Sequence, residues 1–275
     1  MTDLLYYVLC GALAAGLLAG IALMRKAKTA LIGNLAGVLC VAGAVLLTLF
    51  RHNILGKWEL LLFSAVGLAL GLYWAHKVKM SQMPQMVALR GGLGSIASSI
   101  AAIVAVTGLR VVTVFELAAA GAALAVGAAA FAGSAVTAAR LHGLTGQKPQ
   151  AWKRHKEITI ASLAAAAVSI LMFALLPPQW LPVSLFVCGA AGGLFGVAFA
   201  IRVGGADLPI AISLLNALSG LAVAAAGMTI GEPLLVTAGG IVGGSGLLLT
   251  QLMCRAADRS LSDILKGKAP AASGN

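Results

Sequence analysis

The chain is built almost entirely from apolar runs about as long as a bilayer core is thick. A helix needs roughly 20 predominantly apolar residues to cross the hydrocarbon. Nine stretches meet that length: 4–24, 30–50, 59–76, 84–107, 113–139, 157–176, 181–201, 208–229 and 233–256. In lipid, each segment must satisfy its own backbone N–H and C=O groups, so such runs fold as helices. The links between them are short, and only 140–156, RLHGLTGQKPQAWKRHK, has real length. The expected fold is an all-α, polytopic transmembrane bundle of about nine spans. It occupies 1–256 as one helical domain. A cytoplasmic tail, 257–275, is rich in Lys, Ala, Ser and Gly and is expected to be disordered.

Composition excludes the soluble classes. Charged residues make up 10% of the chain, against about 25% in soluble globular domains. The 34 glycines and the many Ala runs suit tight packing, because small residues let membrane helices approach closely. A net charge of +11 would suggest nucleic acid in a soluble protein. Here it reads as topology, since Lys and Arg accumulate in cytoplasmic loops. With the N-terminus outside, only Arg51, Lys57 and Arg110 of the 19 Lys and Arg fall on the outer side. The C-terminus is then cytoplasmic, and no nucleic-acid partner is expected. The start, MTDLLYYVLCGALAAGLLAG, lacks a basic n-region and carries Asp3, so it reads as a first span rather than a cleaved signal. Cys10, Cys40, Cys188 and Cys254 lie in apolar stretches without metal spacing and read as small buried residues.

Polar groups inside spans are functional candidates by default. Asp207 precedes Pro209 at the start of the eighth span, with Arg202 nearby, at the inner mouth. An Asp there can cap free N–H groups, and Pro in the first turn lacks the N–H that would go unpaired. Asn216 lies about two and a half turns deeper, where an amide needs partners on other helices or water. It can glue helices or gate a water wire. Ser213, Asn216 and Gly220, spaced three and four apart, share one face, which Gly227 continues. Glu116 opens the fifth span near the outer interface, either as an acid reaching water or as a carboxylate at the outer mouth of a path. Glu59, beside Trp58, reads as interfacial. The histidines at 52, 76, 142 and 155 sit in links or at span ends. GGIVGGSG (239–246) lies within the ninth span without a preceding strand, so it reads as packing rather than a phosphate loop.

Four stretches carry a family likeness: KVKMSQMPQMVAL (77–89), GSAVTAARLHG (133–143), GGADLPIAISLLNALSGLAVAAAG (204–227) and GGIVGGSGLLLTQLMCRAADRSL (239–261). They resemble the beta subunit of proton-translocating NAD(P) transhydrogenase, well over spans three to nine and loosely over the first two. The resemblance implies the membrane part of an enzyme that couples proton passage to hydride transfer between NAD(H) and NADP(H). It implies an alpha-type subunit as partner, a separate NADP-binding domain, a homodimeric core and a multi-pass place in the bacterial inner membrane. Asn216 matches the family's polar residue on the proton path, Asp207 an acid near the cytosolic mouth, and Glu116 a carboxylate at the outer end. Some members carry a His in the fourth span, where this chain has Gly91. The resemblance also implies that these residues bind neither nucleotide alone, since no dinucleotide-binding domain is among them. A nucleotide-independent transporter or channel, or a structural assembly subunit, are the competing readings. The transporter reading calls for an inverted repeat with paired broken helices, and only one Pro-opened polar span is found.

Overall fold

The computed structural model describes residues 2–108, 113–146, 149–150, 152–175 and 178–265. Arg110, Lys148, Lys266 and Lys268 of the charge pattern, and residues 266–275 of the expected tail, lie outside them. The described residues form helices and no strand: α1 (Asp3–Met24), α2 (Ala30–Arg51), α3 (Trp58–Lys77), α4 (Met83–Thr107), α5 (Val114–Leu141), α6 (His155–Leu175), α7 (Leu181–Arg202), α8 (Leu208–Ile230), α9 (Pro233–Ala256) and the short α10 (Leu261–Leu265). Nine of these, among the described residues, are long and apolar enough to cross a membrane. Each coincides with an expected span to within two residues at either end.

Local chemistry sets the ends. Pro84, Pro182, Pro209 and Pro233 sit in the first turns of α4, α7, α8 and α9, where a missing N–H costs nothing. The α8–α9 link is only Gly231 and Glu232. Gly231 takes the left-handed conformation at φ 70° and closes α8 through its N–H to the Gly227 carbonyl.

The chain divides into two compact units, 1–80 and 81–275. The stretch 257–265 after α9 includes α10. Its composition suggested solvation, but Leu261 and Ile264 find apolar partners: Ile264 is buried in a cluster with Leu208, Ile210 and Cys254.

In the first unit, α1 and α2 pair antiparallel across glycines. A Cβ on Gly33 would come 2.5 Å from the Gly20 carbonyl oxygen. The Arg51 guanidinium lies over the Tyr6 ring, 5.2 Å from its centroid, and bonds Asp3. No residue of α3 is buried.

In the second unit, α5 and α8 are the most enclosed helices. α5 packs on α4, α6, α7 and α8, while α8 packs on α4, α5 and α9. Backbones meet almost directly. A Cβ on Gly196 of α7 would overlap the Ala129 carbonyl of α5, and one on Gly220 of α8 would come 2.5 Å from Gly243 N of α9. The outward faces, such as Leu171, Phe186 and Leu248, remain exposed and apolar, as lipid-facing surfaces are.

These approaches predict a contrast along one helix. Gly196→Ala should destabilise the bundle by about 1–3 kcal/mol through overpacking. Gly193→Ala, one turn away with nothing within 4 Å of its added Cβ, should be neutral or slightly stabilising. Thermal unfolding in one detergent compares the two.

Candidate functional site

The polar residues of α8 face two different neighbours. At 100° per residue, Ser213 and Gly220 project within about 20° of each other, and Asn216 is turned about 60° from Ser213 and about 40° from Gly220. Ser213 and Gly220 meet α9: the Thr250 hydroxyl lies 3.0 Å from Ser213 Oγ, where it can donate, and Gly243 abuts Gly220. Asn216 turns toward α4. A Cβ on Gly91 would sit 3.4 Å from Asn216 Oδ1 and 3.6 Å from Ser219 Oγ. The face read from sequence as one stripe is therefore a wedge between α9 and α4.

Around Gly91 the hydroxyls form a connected set. Ser95 Oγ donates to Ser219 Oγ at 2.6 Å or to Gly91 O at 2.8 Å. Ser219 Oγ donates to Leu215 O at 2.9 Å or to Gly91 O at 3.1 Å. Ser99 Oγ reaches Ser95 O at 3.0 Å and Ala123 O of α5 at 3.1 Å. Ser95 and Ser99 are fully buried. Each hydroxyl has more acceptors in reach than its one proton can serve, so the set can re-orient without losing a bond. Asn216 is partly buried, and its side chain makes no hydrogen bond among the described residues.

Asp207 stands at the other end of the helix. It occupies the N-cap of α8, but its carboxylate makes no capping bond. Instead Asp207 Oδ2 accepts from Arg259 Nη2 at 3.1 Å, and both side chains are 8% exposed. The partner is Arg259, from the segment between α9 and α10, and not the nearby Arg202. The capping expected of Asp207 is thus replaced by a buried ion pair.

Glu116 is placed apart from these groups. It completes a capping box at the start of α5: Thr113 Oγ1 accepts from Glu116 N at 3.2 Å, and Glu116 Oε2 accepts from Thr113 N at 2.8 Å. The structure brings Asp207 together with Arg259, Ser213 with Thr250, and Asn216 with the α4 serines. Ser95, Ser99, Ser219 and Arg259 were not singled out from sequence. Ser95 and Ser99, four apart in GSIASSIAAI, carry the only local signal. Arg259 had counted simply as a cytoplasmic charge.

Among the described residues, no three His, Cys, Asp or Glu side chains gather as a metal centre requires. A dinucleotide has no fit here either. Its usual cradle is a glycine turn between a strand and a helix, whereas Gly239 and Gly243 lie within α9 with their faces against the α8 backbone.

Breaking the buried ion pair should cost more than deleting it whole. Asp207→Asn leaves the Arg259 charge buried without its carboxylate, a loss of about 3 kcal/mol or more. The double variant Asp207→Asn, Arg259→Met should recover most of that loss. Unfolding midpoints of both single variants, the double variant and the parent give the coupling directly.

Comparison with known sequences places these features in a family. A family profile described as NAD(P) transhydrogenase beta subunit matches residues 6–275. Two sequences of NAD(P) transhydrogenase subunit beta from Rhodospirillum rubrum are each 32% identical over 272 residues. The match covers 95% of this chain and 57% of each relative. The chain thus spans little more than half the length of these relatives. Matched across nearly all of its length, this multi-pass membrane protein belongs to the NAD(P) transhydrogenase beta subunit family.

Proposed function

We propose that these residues form the proton-conducting membrane part of an NAD(P) transhydrogenase, with the path running beside α8. The observation that carries this reading is the convergence at Gly91. The Asn216 amide, Ser219 and Ser95 meet there inside a bundle of closely approaching helices. Polar groups in a membrane interior are costly, and they are kept where they pair or line an ion path. Counting 1.5 Å per residue from Asp207, Ser213 lies about 9 Å, Asn216 about 13 Å and Ser219 about 18 Å along the axis. Polar groups thus recur along the helix from one end to its middle. Ser99 extends the set to α5 at Ala123, and Glu116 lies two turns nearer the start of that helix.

In this reading the N-terminus is external, and Asp207 with Arg259 stands at the cytoplasmic mouth of a bacterial inner membrane protein. Asp207 and Arg259 hold the mouth closed while paired, and separating them opens it. Hydroxyls that exchange acceptors pass the proton between neighbours, and Asn216 orders the route at its narrowest point. The chemistry at NAD(H) and NADP(H) belongs to partner domains: an alpha-type subunit and an NADP-binding domain, assembled around a dimeric core. Family membership favours this reading over a nucleotide-independent transporter or a purely structural subunit.

Asn216 provides the test. Asn216→Leu should leave folded yield close to that of the parent, because the Asn216 side chain makes no hydrogen bond among the described residues, and even one such interhelical bond in a membrane is worth only about 1 kcal/mol or less. Proton uptake into vesicles by the assembled enzyme should collapse. Asn216→Asp and Asn216→His should retain part of it, with altered pH dependence. A well-folded Leu variant that pumps at the parental rate removes α8 from the path.

A further inference from the structure

Arg140 is another deeply buried cation among the described residues of the second unit, and the proton path described above makes no use of it. It lies in the last turn of α5 and is 2% exposed. Its guanidinium donates to several backbone carbonyls. Arg140 Nη1 donates to Ala200 O at 2.7 Å and to Val203 O at 2.6 Å, with Ile201 O at 3.4 Å. Arg140 Nε donates to Gly146 O at 3.3 Å. Ala200 and Ile201 are among the last residues of α7, whose final carbonyls have no partner within the helix. A cation there also meets the negative end of the helix dipole. The planar fork, with five donors, reaches several carbonyls at once in a way a single ammonium does not.

The position of these carbonyls gives the contact its meaning. Val203 begins the turn that leads through Gly204 and Gly205 to Asp207. Its side chain is fixed in the apolar cluster with Phe199 and Leu208. Gly204 O accepts from Asp207 N at 2.9 Å, and Ile201 O accepts from Gln150 N at 2.9 Å. A glycine pair would otherwise leave this turn free to rotate. The Arg140 grip on Val203 O lies four residues from the carboxylate that meets Arg259. We infer that Arg140 is a positioning residue, which fixes the α7–α8 turn and thereby holds the Asp207 carboxylate against Arg259. The assignment is geometric. Its importance for proton passage rests on the path proposed above.

Amide hydrogen exchange on the full chain in nanodiscs, read by mass spectrometry, tests it with Arg140→Met and Arg140→Lys. Met keeps the volume and removes every donor, while Lys keeps the charge and some donors. In the Met variant, exchange over 201–208 should quicken while 212–228 stays at the parental rate. Lys should restore part of the protection. Parental exchange over 201–208 in the Met variant would overturn the assignment. So would equal loosening by Lys and Met, or loosening spread over all of α8, since either would make Arg140 a support of the bundle alone. Proton uptake by the assembled enzyme separates the two claims. If the turn loosens and uptake falls, both stand. If the turn loosens and uptake is unchanged, Arg140 still positions the turn, but the path through Asp207 is wrong.

Discussion

Close approach of backbones is the constraint on which this bundle depends. Lipid gives helices no hydrophobic reason to associate, so packing at van der Waals distance has to supply it. At Gly196 and Gly220 the facing backbone occupies the space where a side chain would begin. The helices so joined, α5 with α7 and α8 with α9, include the two most enclosed elements of the second unit. The same principle operates separately in the first unit, where Gly20 and Gly33 bring α1 and α2 together.

Such packing dictates what a polar side chain can do inside the bundle. Little room remains between helices that approach so closely, so hydroxyls turn back onto carbonyls of their own or the facing helix. Thr137, Ser169 and Thr229 do this locally. Hydroxyls of two helices meet each other where Thr250 reaches Ser213 and where Ser95 reaches Ser219, and at the second place Gly91 presents no side chain to Asn216 and Ser219. The absence of a Cβ thus does opposite things at different places. At Gly196 it lets backbones touch, and at Gly91 it leaves polar groups facing one another.

The charged groups sit at the ends of helices, where their cost is lowest, yet the important ones are still buried. Arg259 meets a carboxylate, whereas Arg140 meets carbonyls at the end of a helix. Both solutions converge on one turn, 203–207. That turn contains Gly204 and Gly205 and would have little stiffness of its own. Its order comes from side chains delivered by α5 and by the segment after α9.

The helices were legible in the sequence because their cause is local. A run of apolar residues in lipid must satisfy its own backbone, and no tertiary partner is needed to decide that. The starts of α4, α7, α8 and α9 were equally local, being written in their prolines. The family likeness is likewise local, carried by GGADLPIAISLLNALSG and MCRAADRS themselves. Pairings were not legible. Asp207 before Pro209 looks like a cap in sequence, and only folding brings Arg259, 52 residues away, to the carboxylate. Ser213 and Asn216 share a face on a helical wheel, but the positions of α9 and α4 separate their roles. In the sequence Arg140 reads as one basic charge among many, and only in the fold does the end of α7 close over it. Local backbone demands fixed the elements, whereas the choice of partner for each buried polar group depended on which helices could approach closely enough, and only the packed bundle decides that.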